Sequence, residues 1–127
     1  MTHPTPPKVP CGSCPYRRDV PSGIWDKAEY DKLPQYDGET MGQNPSLFMC
    51  HQKDGCLCGG WLLTHDRNHL LALRLNPVDA SVRDYNPGIE VFSSGAEACA
   101  HGLRDINKPT DEAIRKIHGI EKLHGTI

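Results

Sequence analysis

A chain of 127 residues is long enough for one domain and too short for two of ordinary size. With 14 basic and 16 acidic side chains its formal charge is −2, so no global field draws it to nucleic acid. Hydrophobic residues at 37% and aromatics at 6%, beside 12 glycines and 11 prolines, argue against a large core and predict many turns with little regular structure.

Residues 1–10 (MTHPTPPKVP) are rich in proline and threonine and are expected to be extended or disordered. They show no charged segment leading into an apolar run, and the apolar runs elsewhere are far too short to span a bilayer. The expectation is a cytoplasmic protein that does not engage a membrane. Cys11-Gly-Ser-Cys14 follows at once, continued by Pro15-Tyr16-Arg17-Arg18-Asp19, and a turn is expected at Pro21-Ser22-Gly23. A short helix is predicted from Asp26 to Leu33. Asp26 is its N-cap, Glu29 completes a capping box, Trp25 and Tyr30 form a staple, and Pro34 ends it. Residues 34–46 read as a loop.

A second cysteine cluster spans Cys50, Cys56 and Cys58, closed by Gly59-Gly60-Trp61. Residues 61–75 (WLLTHDRNHLLALRL) are the most apolar stretch, predicted as one helix whose end could instead be a strand. A loop over 76–88 precedes a short strand at 89–92. Ser94 with Glu97 opens a helix that Gly102 should end. Thr110, followed by Asp111 and Glu112, opens a last helix with Ala113, Ile114 and Ile117 on its apolar face. The organisation expected is an N-terminal segment, 1–10, and a single domain, 11–127. That domain divides into a cysteine-bearing half, 11–75, and a helical half, 76–127.

Six cysteines in a reducing compartment point to metal or redox work rather than disulfides. The C-x2-C of Cys11 and Cys14 lets two thiolates from one turn reach the same ion. Two more from the C-x5-C-x-C of Cys50, Cys56 and Cys58 would complete a tetrahedral site. Cys58 is preferred and Cys56 held in reserve, because Gly59-Gly60 and the start of a helix follow Cys58. Structural zinc supplies apparent free energy of roughly 10–16 kcal/mol, enough to decide whether a weak core folds.

The blocks C-x2-C-P-Y-R-R-D, F-M-C-H and C-x-C-G-G-W-L over about residues 11–75 resemble a small family of uncharacterised actinobacterial and phage proteins. The resemblance implies that Cys11, Cys14, Cys50 and Cys58 hold the family's four cysteine positions and that Cys56 is an extra. It implies a phage or actinobacterial setting and no particular activity.

Zinc is favoured as the ion, with a 4Fe-4S cluster as the alternative, since Cys14-Pro15 is a step found in cluster motifs. Arg17, Arg18 and Lys53 could offset thiolate charge, or could be ordinary surface charge. His51 reads as a neighbour of the site or a surface residue. His65, Asp66 and His69 would share a helix face and could hold a second metal for hydrolysis, although a solvent-facing polar patch fits them better. Cys56 or Cys99 as a nucleophile is a weaker reading, and Cys99 suits a small core position. The fold class expected is a small irregular α or α+β domain stapled by metal. Its function is expected to be a non-enzymatic interaction or regulatory role with a protein partner. An iron–sulfur redox regulator and a metal-dependent hydrolase are the alternatives, and nucleic-acid binding by the last two helices is not favoured.

Overall fold

Proline and glycine cut the chain into short helices joined by turns. The computed structural model describes residues 3–50 and 55–124, with side chains described as far as residue 120. Five α-helices occur among these residues: α1 (Lys27–Asp31), α2 (Gly59–Thr64), α3 (Leu71–Leu75), α4 (Gly95–Arg104) and α5 (Asp111–His124). Single 3-10 turns lie at Leu33–Tyr36, Thr40–Gly42, Arg67–His69 and Ala80–Val82. Extended pairing among the described residues is limited to isolated bridges, Thr5 with Cys56, Arg17 with Val91 and Met49 with Leu57. The molecule is thus a small, mostly helical single domain with little strand.

Trp61 of α2 is fully buried at the centre of the core, with Tyr16, Leu33, Leu57 and Leu62 around it. The rings of Tyr16, Tyr36, Phe48 and Trp61 meet edge to face, with centroids 5.3 Å apart for Tyr36–Trp61 and 5.8 Å for Tyr16–Phe48. Such pairs add to what their buried area already contributes. A second, smaller cluster of Val20, Ile24 and Ala113 seats α5, with Ile117 and Ile120 partly buried against it. The inward face of α5 therefore runs through Ala113, Ile117 and Ile120, and Ile114 is exposed.

The caps that sequence points to for the last two helices are present. The Ser94 hydroxyl accepts from the Glu97 N–H at 3.1 Å, and the Glu97 carboxylate accepts from the Ser93 N–H at 3.1 Å. Thr110 Oγ1 accepts from the Ala113 N–H at 3.2 Å. Gly102 does not end α4, which runs on to Arg104. This glycine is required because the Tyr30 ring of α1 occupies the space where a Cβ would stand. On α1, Asp26 makes no side-chain cap. The Tyr30 hydroxyl instead accepts the Ile24 and Trp25 N–H groups at 3.1 and 3.2 Å.

Other expectations need correction. Residues 61–75 are not one helix. The chain leaves helical geometry at His65 (φ −102°, ψ 155°), restarts as a turn capped by Asp66, and forms α3 only after Leu70. Residues 89–92 form no strand beyond the bridge at Val91. The described part of the N-terminal segment is extended, one of the two states expected, and it is also docked: Thr5 O accepts from the Leu57 N–H at 2.8 Å, Pro4 O accepts from the Asp79 N–H at 3.0 Å, and Pro10 is fully buried. Among the described residues, no helix is long and apolar enough to cross a membrane.

Candidate metal centre

Two backbone turns bring the N-terminal thiols into place. The Cys14 N–H donates to Cys11 O at 3.0 Å, and the Arg17 N–H donates to Cys14 O at 3.1 Å. Side chains from outside hold this double turn. The Trp25 indole N–H donates to Ser13 O at 2.8 Å, and Arg17 Nη1 donates to Pro10 O at 2.9 Å.

The central thiols stand on a short antiparallel pair. The Cys50 N–H donates to Cys56 O and the Cys58 N–H to Phe48 O, both at 2.8 Å. Gly55 enters the second arm with φ +77°, a left-handed conformation that side chains oppose. His51 and Lys53 lie outside the described residues. Cys58 is the N-cap residue of α2. Helix α2 approaches so closely that a Cβ on Gly60 would stand 2.5 Å from Cys14 Sγ, and one on Gly59 would strike the Tyr85 hydroxyl.

Cys14 Sγ lies 3.7 Å from Cys58 Sγ, across 44 positions of sequence. Cys11 in turn faces the thiols of Cys14 and Cys50, and its pKa is raised, first by the contact with Cys14. The Cys14 pKa is raised well above the ordinary thiol value. Its contact with Cys11 favours ionisation, but the contact with Cys58 and burial outweigh it. The thiols thus run in sequence Cys50–Cys11–Cys14–Cys58. It is Cys58 that reaches Cys14. Cys56, also buried, pairs through its backbone with Cys50 and Thr5. Among the described residues, no group of three or more His, Cys, Asp or Glu side chains is already placed so that it could hold an ion.

Two groups near the thiols can offset thiolate charge, which burial and thiol–thiol contact otherwise disfavour. The Tyr85 hydroxyl is buried without a hydrogen-bond partner, and its pKa is pushed up to about 12 by burial and then by Cys14 and Cys58. A buried, unpartnered hydroxyl that feels the charge of Cys14 and Cys58 is a donor of the kind a thiolate accepts. Arg17 also responds to the site: its pKa is raised first by the Asp19 carboxylate and further by Cys14 and Cys11. Arg18 is engaged elsewhere, with Glu97 at 3.0 Å and over the Phe92 ring. Sequence gave no hint of Tyr85, which lies in an irregular segment with no periodicity to mark it.

The histidines expected to share a helix face do not. The break after α2 turns His65 inward, where Nδ1 meets Trp61 O and Nε2 meets Asp37 Oδ1, each at 3.0 Å. Both ring nitrogens are thus turned to atoms of the chain's own fold rather than aligned with His69. Asp66 pairs instead with His69 at 2.7 Å on the surface. Cys99 is partly buried against the main core, as a small packing residue.

Comparison with curated proteins and with solved structures gives no match. Residues 6–118, from ahead of the first cysteine pair through much of α5, match the DUF6283 family, a family of unknown function, and the chain belongs to that family.

Proposed function

We propose that this chain is a non-enzymatic interaction or regulatory protein whose fold is fastened by one zinc ion held by Cys11, Cys14, Cys50 and Cys58. The observation that carries the reading is the Cys14–Cys58 contact. Its 3.7 Å is close to the ~3.8 Å edge of a tetrahedron whose sulfurs lie ~2.3 Å from zinc. In a four-iron cluster each cysteine binds its own iron, and thiols in mutual contact suit that less well. Rotation of the end thiols between staggered wells would close the sequence of contacts into a tetrahedron. The ion would join the 11–14 turn to the 48–58 pair, and the four thiols would give up their protons on binding. The stranded Tyr85 hydroxyl and the Arg17 guanidinium supply what the resulting charge needs. The setting proposed is the cytoplasm of an actinobacterium or of a cell infected by its phage, with a protein partner.

Elemental analysis and a visible spectrum of anaerobically purified protein test this. The expected result is a colourless protein with one equivalent of zinc, retained in Cys56→Ser and lost in Cys58→Ser. A brown preparation that bleaches in air would assign an iron–sulfur cluster instead. Thiols that titrate freely in a folded, metal-free protein, with no uptake of added zinc, would end the proposal.

A further inference from the structure

Arginine partners divide the surface into two kinds of region. Arg17, Arg18 and Arg104 are each neutralised by a carboxylate, from Asp19, Glu97 and Asp105. Among the described residues, Arg67, Arg74, Arg83 and Arg115 have no carboxylate partner. Arg115 lies apart on α5, but the other three line one cavity of about 900 Å³ between the Arg67–His69 turn, α3 and residues 77–83.

Two of these guanidinium groups are fixed without being neutralised. Arg67 donates through Nη1 alone, to Val82 O at 2.7 Å and Arg83 O at 3.3 Å, which leaves its Nε–Nη2 edge unspent. Arg74 donates through Nε and Nη2 to Asn68 O at 3.1 and 2.8 Å, which leaves Nη1. Bonds to carbonyls set the position of a guanidinium and keep its full charge, so the ordering entropy is spent before a ligand arrives. Two carboxylates, Asp66 and Asp79, also stand on the cavity wall, so the three guanidinium groups exceed the acidic groups by one. Asp66 accepts from His69 and the Asn68 N–H, and Asp79 accepts from the Ser81 N–H at 2.9 Å. Leu73, Val78 and Val82 give the cavity an apolar wall.

We infer that this cavity binds a small phosphate-bearing molecule of nucleotide size. Planar guanidinium forks match phosphate oxygens in pairs. Three such groups against two carboxylates leave the lining net positive, which favours an anionic ligand. The volume falls in the upper part of the range of roughly 300–1,000 Å³ that small-molecule sites occupy, and the apolar wall accepts the uncharged body. None of the four proposed metal ligands lines the cavity, so the inference stands apart from the zinc reading.

Isothermal titration of the full-length protein with ADP, with pyrophosphate and with adenosine tests it. ADP should bind, pyrophosphate should bind more weakly, and adenosine should give no heat. Arg83→Ala and Arg74→Ala should each weaken ADP at least tenfold while the circular-dichroism melt stays unchanged for Arg83→Ala, an exposed residue. Absence of heat from both ADP and pyrophosphate at millimolar concentration would overturn the inference, as would an Arg83→Ala affinity equal to the parent's. A single-stranded DNA oligomer that binds more tightly than ADP and is released by added salt would overturn it too, in favour of a nucleic-acid surface.

Discussion

Gly60 and Tyr85 act on the same thiols from opposite chemical directions, one by having no side chain and the other by offering a hydroxyl. A methyl at position 60 would meet Cys14 Sγ and Tyr16 Cβ, both in the buried core. Gly60→Ala is therefore expected to destabilise the fold by about 1–3 kcal/mol, as overpacking does, and a denaturant melt would measure it. Tyr85→Phe separates structure from binding. Removing a stranded hydroxyl should leave the metal-free protein at least as stable, because that group's desolvation is uncompensated. Zinc affinity, read by competition with a chelating dye, should fall by roughly 10–100-fold, the usual cost of losing a partner of a metal ligand. Unchanged affinity would mean that the hydroxyl never meets a thiolate. At this scale the four cysteines were legible because their spacing is itself chemical information. Tyr85 was not, since only the folded path of residues 76–88 buries its hydroxyl within reach of the charge on Cys14 and Cys58.

Helix α4 depends on a residue far from it in sequence. Asp37 accepts the Gly95 and Ala96 N–H groups, each at 2.8 Å, while its Oδ1 also meets His65. One carboxylate thus serves the first turn of α4 and the break after α2, and nothing in the loop-like run 34–46 marked it. Asp37→Ala should cost about 2–3 kcal/mol in a thermal melt, against about 1 kcal/mol for Ser94→Ala, which removes only a local cap. The contrast explains which elements the sequence disclosed. Helices α4 and α5 carry their caps within four residues, so local chemistry and outcome agree. The apolar run 61–75 looks continuous, yet Asp37 draws His65 out of register and Asp66 caps a new turn on Asn68. A distant partner and a local cap together override the helical pattern.

For the molecule as a whole, the tyrosines report on packing. Tyr16, Tyr30, Tyr36 and Tyr85 are the four in the sequence, and burial is the first cause of a raised pKa at each. A raised folded pKa favours the neutral phenol. The stability it reflects is complete below pH 10 and is lost as pH climbs through the folded values, about 12 for Tyr85. Near-ultraviolet titration should therefore show no tyrosinate step at pH 10. Tyrosinate should appear only together with unfolding, and a normal step in the folded protein would contradict the packing described. The family match, which runs past the cysteine half into α5, agrees with a core that residues from both halves build.

The docked start of the chain has a consequence for its synthesis. The segment carrying Cys11 and Cys14 is made well ahead of its partners: Cys58 follows Cys14 by 44 positions, and the Gly102 carbonyl follows the Ser22 hydroxyl that bonds it by 80. At ~5–20 residues per second the leading thiols wait roughly 2–9 s before Cys58 is even translated. Until then Cys14 lacks the thiol it meets in the folded chain, and the core that buries it cannot close. A thiol-modifying reagent should accordingly label Cys14 in the unfolded chain far faster than in the folded one, where it is buried, as mass spectrometry of the labelled peptide would read.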